Sequence, residues 1–89
     1  MIKIAFSPAF ERNFCRRLKG NVKLQDKFWQ KVERFIQDPF EPQLKTHKLT
    51  GKLQDLWSFS IDYDLRVIFY FVNETNAVFV DIGSHDEVY

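Results

Sequence analysis

Apolar and polar residues alternate at the beginning of the chain. Ile2, Ile4 and Phe6 alternate with Lys3 and Ala5. A two-residue period is typical of a β-strand, because successive side chains of a strand point to opposite faces of the sheet. The pattern therefore predicts a short strand over residues 2–6.

Two stretches with the three- and four-residue spacing of a helix follow this strand. Ser7 and Pro8 have the residue types of an N-cap and a first helical position, and Gly20 is typical of a helix end. Asn21 is the expected N-cap of a second helix, which the Asp-Pro pair at 38–39 ends. We expect an antiparallel helix hairpin whose apolar stripes pack on a common sheet. The stripes are Phe10, Phe14, Cys15 and Leu18, and Leu24, Phe28, Val32, Phe35 and Ile36.

The second half of the chain returns to the period of a strand. Three apolar or alternating runs are separated by short turns, which is typical of antiparallel neighbours. The predicted fold is α+β in one domain, residues 1–89: an N-terminal strand, an antiparallel two-helix hairpin and a C-terminal antiparallel three-stranded meander, all in one sheet. Residues 40–56 are the least regular part. The three predicted strands cover residues 57–62, 65–72 and 77–82.

Composition adds limits on the class of protein. The 89 residues are 45% hydrophobic and include ten Phe, two Trp and three Tyr, which supply bulky core material to a short chain. Cys15, the single cysteine, cannot form an intramolecular disulfide, and its place on the apolar side of the first helix predicts a core residue. No apolar run approaches the roughly 20 residues that span a bilayer, and the N-terminus lacks the features of a signal peptide. We expect a cytoplasmic protein that makes no membrane contact.

The net charge of +1 hides an uneven distribution. Residues 1–54 hold 12 Lys and Arg against 5 acidic residues, a balance of +7, and residues 55–89 hold one base against 7 acids, a balance of −6. A basic half raises the odds of a polyanionic partner such as RNA, although solvated helix faces explain the same charges. Charge alone leaves both explanations open.

Two histidines and one arginine are the candidates for chemistry. His47 and His85 lie in polar loops beside predicted strands, and Arg66 is the only base in the second half. Such a set suits cleavage of an RNA phosphodiester bond without a metal. One group takes the proton of the 2'-hydroxyl, another protonates the leaving oxygen, and a guanidinium neutralises the phosphate. Alternatively, Arg66 is structural and pairs across the sheet with Asp62, Asp64 or Asp81.

The sequence offers little for metal binding and two aromatic residues for contact with an RNA base. No metal site is predicted, because two distant histidines and scattered aspartates lack the spacing of metal ligands. Trp57 and Tyr89 offer aromatic surfaces on which an RNA base stacks. Trp57 fits the core better, whereas a terminal Tyr89 has less reason to be buried and is the stronger candidate for substrate contact.

Four segments along the chain together resemble a known family. They are His47-Lys48-Leu49-x-Gly51, Leu56-Trp57-Ser58-Phe59, Tyr63-Asp64-Leu65-Arg66-Val67-Ile68-Phe69 and Ile82-Gly83-Ser84-His85-Asp86-Glu87-Val88-Tyr89. With the predicted order of elements, they resemble the RelE/ParE superfamily of toxins from type II toxin-antitoxin systems, and within it the YafQ-like mRNA interferases. The resemblance covers essentially the whole chain. It implies a RelE-like fold and a ribosome-dependent endoribonuclease that cleaves mRNA without a cofactor.

The resemblance also implies roles for individual residues and partners. His47 matches a candidate general base, Asp64 an acidic residue before the arginine strand, Arg66 a phosphate-binding arginine, His85 a general acid and Tyr89 a substrate contact. Lys45, Lys48 and Lys52 are further candidates for binding the substrate. The implied partners are a cognate antitoxin, in a hetero-oligomer, and the ribosome with its mRNA. Three positions depart from the YafQ-like pattern: Ser60 replaces a histidine, Leu65 a tryptophan and Asp81 an arginine.

Two other functions stay open from the sequence. A ParE-like toxin has the same fold but poisons DNA gyrase by protein contact, so it needs no catalytic histidine. A catalytically inactive relative would only bind an antitoxin, and the acidic residue at position 81 keeps this alternative open. The presence of both His47 and His85 favours the nuclease.

Overall fold

A computed structural model describes residues 1–51 and 55–84 of the chain. Three residues that the sequence nominates for the site, Lys52, His85 and Tyr89, lie outside the described residues. Neither of the two helices in the described ranges is both long and apolar enough to span a lipid bilayer.

The described chain folds into two helices and a five-stranded mixed sheet, so the predicted α+β class is confirmed. The strands lie in the order β1-β5-β4-β3-β2, with β1 parallel to β5 and every other neighbouring pair antiparallel. The elements are β1 (Lys3–Phe6), α1 (Pro8–Leu18), α2 (Val22–Gln37), a 3-10 turn (Pro42–Leu44), β2 (His47–Lys48), β3 (Trp57–Ser60), β4 (Leu65–Asn73) and β5 (Asn76–Ser84).

Both helices begin at the residues that the sequence predicts. The Ser7 hydroxyl accepts a hydrogen bond from the Phe10 N–H at 3.0 Å and also donates to the Val80 carbonyl at 3.2 Å. The Asn21 side chain accepts from the Leu24 N–H at 3.0 Å. An N-cap of this kind stabilises a helix by about 1 kcal/mol. Ser7 therefore both starts α1 and holds its first turn against β5.

The core is a layer of phenylalanine rings between the helices and one face of the sheet. The ring centroid of Phe35, on α2, lies 4.9 Å from those of Phe59 and Phe69 and 5.5 Å from that of Phe79. All four side chains are fully buried. Burying one such ring stabilises the fold by about 1.5–3 kcal/mol, so α2 is anchored on strands β3, β4 and β5.

Two features differ from the sequence prediction. The segment over residues 40–56 contains the 3-10 turn and the two-residue strand β2, which adds a fifth strand at the edge of the sheet. Cys15 is exposed, so its prediction as a core residue is wrong. It follows Phe14 by about 100° of helix rotation, which places it on the flank of the apolar stripe and not on its centre.

Candidate active site

The candidate residues collect on the face of the sheet that points away from the helices. Directly paired residues of antiparallel strands project to the same face, and so do residues two positions apart along a strand. His47 pairs with Ser58, and Ser60 pairs with Arg66. His47, Ser58, Ser60 and Arg66 therefore share one face, whereas Phe59 points into the core.

The register also sets the separation of the two candidate catalytic groups. His47 and Arg66 lie two strands apart and two residues apart along the strand direction. With neighbouring strands at about 4.8 Å and a rise of about 3.4 Å per residue, their Cα atoms are about 12 Å apart. This distance suits two long side chains that approach one phosphodiester from opposite sides.

A cleft opens beside the N-terminal end of strand β2. Within the described residues, strand β2 pairs with Trp57 and Ser58, and the cleft is lined by residues beyond that pairing. Its volume is ≈ 640 Å³, within the range of about 300–1,000 Å³ that is typical of ligand sites. Nine of the ten lining residues are polar or charged, and they include four basic side chains from three parts of the chain. The lining residues are Lys27, Lys31, Gln43, Lys45, Ser60, Ile61, Asp62, Tyr63, Asp64 and Arg66.

Arg66 is the basic residue that the sheet itself holds. It lies on β4 between two neighbouring strands, opposite Ser60 of β3 and Gly83 of β5. Its side chain is half-buried, and its Nε atom is buried with no hydrogen-bond acceptor among the described residues. A buried donor that is left unpaired costs about 1–3 kcal/mol, so such a group is unusual in a purely structural position.

Two of the three carboxylates that the sequence offers as structural partners of Arg66 are held by other groups. Asp62 Oδ1 lies 2.9 Å from Lys27 Nζ. Asp81 Oδ1 accepts hydrogen bonds from the Asn13 side-chain amide at 2.6 Å and from the N–H of Ile82 at 2.8 Å. These contacts weaken the structural explanation of Arg66.

The loop before strand β2 sets the orientation of the His47 ring. Lys45 ends the 3-10 turn with a φ of 53° and a ψ of 39°, in the left-handed region, which is rare for a residue other than glycine. Its carbonyl oxygen lies 3.1 Å from His47 Nδ1. Because a carbonyl only accepts hydrogen bonds, the neutral ring carries its proton on Nδ1 and has its basic lone pair on Nε2.

The electrostatics of the cleft favour an anionic ligand. The hydrogen bond from Lys27 is the main reason that the pKa of Asp62 is lowered below its ordinary value, and the N–H of Tyr63 and the charge of Lys31 act in the same direction. Asp62 therefore stays ionised and compensates Lys27. The remaining charged side chains of the cleft are three bases and one acid, Lys31, Lys45 and Arg66 with Asp64, a balance of +2.

The structure brings together some of the residues that the sequence nominates and separates others. Asp64, Arg66 and Lys45 line the cleft, and His47 shares the sheet face of Arg66. Lys48 pairs with Trp57, so it belongs to the opposite face and lies apart from this group. Sequence reasoning missed the contribution of α2 to the cleft, Lys27 and Lys31. Their four-residue spacing is the signal that places them on one side of the helix.

Metal binding has little support from these residues. Over residues 1–51 and 55–84, no group of three or more His, Cys, Asp or Glu side chains is placed to hold a metal ion. Four of the six charged side chains that line the cleft are cations, which repel a metal ion and attract a phosphate.

Solved structures share this fold. A metal-bound toxin from Helicobacter pylori is 25% identical in sequence, with a TM-score of 0.78 and full coverage of both chains. YafQ from Escherichia coli strain BL21(DE3) is 14% identical, with a TM-score of 0.76 over 100% of this chain and 99% of that one. In the YoeB-YefM complex from Staphylococcus aureus, the matching chain is 19% identical, with a TM-score of 0.76, and the match covers 96% of this chain and 98% of that one. The fold is therefore that of small toxins from toxin-antitoxin systems.

The sequence identifies the family within this class. Residues 2–89 match the family described as bacterial toxins of type II toxin-antitoxin systems, YafQ. The chain belongs to the YafQ toxin family, as its resemblance to YafQ-like toxins predicted. No curated protein sequence matches the chain.

Proposed function

We propose that this toxin is an endoribonuclease that cleaves mRNA on the ribosome by metal-independent acid-base catalysis. The observation that carries the proposal is the half-buried Arg66, which lines a basic cleft and shares a sheet face with His47. A guanidinium whose buried Nε–H has no acceptor among residues 1–51 and 55–84 suits the charge that grows on a phosphate in the transition state.

The first chemical step is assigned to His47. Its Nε2 atom takes the proton of a ribose 2'-hydroxyl, and the oxygen attacks the adjacent phosphorus. The Lys45 carbonyl holds the Nδ1 proton during this step and stabilises the imidazolium that forms. Asp64, at the rim of the cleft, is the second candidate for the base.

The second step breaks the bond to the 5'-oxygen of the next nucleotide. His85, which the family resemblance nominates as the general acid, protonates that oxygen and leaves a 5'-hydroxyl. Arg66 and Lys45 balance the negative charge on the phosphate, which ends as a 2',3'-cyclic ester. Lys52 and Tyr89 remain candidates for holding the flanking nucleotides.

The ribosome is proposed as the platform that presents the mRNA. Helix α2 carries four basic residues at spacings of four, four and three positions, so they form one stripe along the helix: Lys23, Lys27, Lys31 and Arg34. Two of them line the cleft. A basic stripe that continues into the cleft suits a phosphate backbone, whose contacts are electrostatic and independent of base sequence.

A cognate antitoxin is proposed as the protein partner. Support comes from the YoeB-YefM structure of Staphylococcus aureus, in which a toxin of the same fold is in complex with YefM. For this protein, we expect the toxin and its antitoxin to form a hetero-oligomer in which the nuclease is silent until the antitoxin is removed.

Substitution of Arg66 tests the mechanism. In cells, Arg66→Ala is expected to abolish growth arrest, and with purified ribosomes and mRNA it should lower the cleavage rate by at least a hundredfold, because the transition-state charge loses its main counterion. Arg66→Lys should recover only part of the rate, since an ammonium lacks the forked pair of donors. Cleavage rates are measured by primer extension in a time course.

The matched control is Lys48→Ala, an exposed cation on the opposite face of the sheet. It should cleave within threefold of the wild-type rate. Full toxicity of Arg66→Ala, at equal protein levels and with normal antitoxin binding, contradicts the proposed mechanism.

A further inference from the structure

Three aromatic side chains form a cluster at the end of the β3–β4 pairing that lies opposite to Arg66. Phe40 follows α2, Trp57 begins β3 and Phe71 lies near the end of β4. Their ring centroids are 5.5 Å apart for Phe40 and Trp57, 5.7 Å for Trp57 and Phe71, and 6.0 Å for Phe40 and Phe71. Phe40 is 54% exposed, and the other two rings are half-buried. The cluster therefore presents aromatic surface to solvent.

The cluster lines a cavity of ≈ 470 Å³. Among the described residues that line this cavity, Glu74 carries the charge and none is basic. Glu74 lies in the turn between β4 and β5 and is exposed, so its carboxylate is accessible to a ligand. The lining residues are Pro39, Phe40, Trp57, Phe71, Asn73 and Glu74.

The backbone adds negative potential on the same side of the molecule. Helix α2 ends at Gln37, three residues before Phe40, and the carbonyl end of a helix carries about half an elementary negative charge. The faces of aromatic rings are also negative. The surface beside the helix end has the same sign, since a second cavity there is lined by three acids and one base, Glu33, Asp38 and Glu41 with Arg34. This end of the molecule attracts a cation and repels the phosphates of RNA.

We propose that Phe40, Trp57, Phe71 and Glu74, together the aromatic-acidic site, bind an arginine side chain of a ribosomal protein. A guanidinium is planar and weakly hydrated, so it stacks on an exposed ring face while its N–H groups donate to a carboxylate. On the ribosome, the charge of the site excludes rRNA, and ribosomal proteins offer many arginines because they bind rRNA phosphates.

The inference rests on the ribosome as the platform in the proposed function, and it adds a contact of different chemistry. The cationic cleft meets RNA, and the aromatic-acidic site meets protein at the other end of the β3–β4 pairing. Two contacts of opposite sign fix the orientation of the toxin better than one, because a reversed orientation places like charges together.

An arginine peptide and its neutral analogue test the chemistry of the site. The probes are acetyl-glycyl-arginyl-glycinamide and the same peptide with citrulline, whose side chain has nearly the shape of arginine without its charge. In nitrogen-proton correlation NMR spectra, the indole N–H signal of Trp57 should shift saturably with the arginine peptide. The citrulline peptide should bind at least fivefold more weakly.

Trp29, the chain's other tryptophan, is the internal control. It lines a separate apolar groove with Phe14 and Phe28, and its indole signal should stay unchanged. Equal affinities for the two peptides, or equal shifts of the two indole signals, overturn the proposal.

Two conservative variants separate the charge from the ring. Glu74→Gln removes the charge and Phe40→Leu removes the ring, and each should bind the arginine peptide at least threefold more weakly. Both side chains are exposed, and thermal unfolding confirms that the variants fold. The control is Lys48→Gln, which removes a base that pairs with Trp57 outside the cavity lining. It should bind the peptide at least as tightly as the wild type, and an equal loss in Lys48→Gln and Glu74→Gln contradicts an electrostatic site.

Photo-crosslinking on purified ribosomes identifies the occupant. The photoreactive residue p-benzoylphenylalanine replaces Phe40, and mass spectrometry identifies the linked segment. We expect a link to an arginine-containing segment of a ribosomal protein, with at least a fivefold lower yield when Glu74→Gln is added. A link to rRNA alone, or a link to the antitoxin with none to the ribosome, overturns the proposal.

Sedimentation and cleavage by the same cross-linking protein distinguish the two proposals. A toxin that sediments with ribosomes and cleaves mRNA but forms no link from position 40 overturns the present inference and leaves the proposed function intact. A toxin that does not sediment with ribosomes contradicts the proposed function, and the ribosomal occupant of the site is then wrong as well.

Discussion

Lys45 connects backbone conformation to the proposed chemistry. Its left-handed conformation lets its carbonyl face His47 while its side chain lines the cleft. Such a conformation costs roughly 1–2 kcal/mol for a residue with a Cβ. Strained residues of proteins concentrate at functional sites, and Lys45 lies beside the candidate active site.

Lys45→Gly separates the strain from the charge. Glycine adopts this conformation at no steric cost but loses about 0.5–1 kcal/mol more backbone entropy on folding, so the free energy of unfolding should stay equal or rise by up to about 1.5 kcal/mol. Cleavage should fall, because the ammonium is removed. Urea unfolding and primer extension measure the two effects, and Lys45→Arg is the control that keeps the charge. A glycine variant with full activity would show that the Lys45 side chain takes no part.

The Lys27–Asp62 pair predicts a pH dependence of stability. Because the folded-state pKa of Asp62 is lowered, mainly by the hydrogen bond from Lys27, the pair stabilises the fold above the ordinary Asp pKa and loses this effect as pH falls through the folded value. Both side chains are about half exposed, 53% and 40%, which limits the effect to between about 0.2 and 1 kcal/mol.

Asp62→Asn should therefore be less stable than the wild type at pH 7. The difference should shrink once the pH falls below about 3.9, the ordinary pKa of Asp. Urea unfolding at several pH values measures it, with Asp55→Asn, another exposed acid, as the control. A difference that stays constant across this window shows that the ion pair contributes nothing.

Sequence context predicts the position in the fold for some single residues and not for others. Arg66 was predictable, since a lone base in an apolar strand is conspicuous. Lys31 was not, because only the packing of α2 on the sheet brings it to the cleft. The departure at Asp81 is structural here: its carboxylate bonds to Asn13 on α1, a contact between residues 68 positions apart that no local pattern reveals.

At the level of elements, α2 has two separate faces. One face packs Phe28, Val32 and Phe35 into the core, and the other carries the basic stripe defined above. The helix thus positions cations along the edge of the cleft without any loss of core packing. This arrangement allows the charges to be changed while the fold is kept.

Neutralising part of the stripe should weaken ribosome binding in a salt-dependent way. The double variant Lys23→Gln/Lys31→Gln should lose two phosphate contacts. Each contact contributes about 0.7–0.9 to the slope of the logarithm of the binding constant against the logarithm of the salt concentration. The slope should therefore fall by between about one and two, measured by co-sedimentation with ribosomes at several KCl concentrations. The control with the same charge change is Arg16→Gln, on α1, combined with Lys19→Gln, at the C-cap of α1. Equal slopes for both pairs contradict a phosphate contact by α2.

Helices and long strands were predictable, while short pairings were not. Caps at Ser7 and Asn21 and the apolar spacing define both helices locally. Strand β2 has two residues and exists only because His47 and Lys48 meet β3. The parallel pairing of β1 with β5 likewise joins the two ends of the chain, so no local pattern predicts it.

For the whole molecule, the net charge of +1 is a poor guide to the surface. The cleft gathers cations from both the basic and the acidic halves of the sequence, Lys27, Lys31 and Lys45 with Arg66. The first twenty residues carry five cations, and they also contribute five of the residues that line an apolar groove. The fold thus places a cleft with four cations and an apolar groove on different parts of one small protein.

The chemistry of the RNA ends tests the central claim most directly. The toxin is induced in a bacterial host, and RNA ends are sequenced after ligation methods that are specific for 5'-hydroxyl and for 5'-phosphate ends. We expect new ends within translated codons that carry a 5'-hydroxyl, opposite fragments that end in a 2',3'-cyclic phosphate, and loss of both when translation is blocked or Arg66 is replaced by Ala. Ends with a 5'-phosphate, or growth arrest with gyrase-linked DNA breaks and no RNA cleavage, would contradict the account.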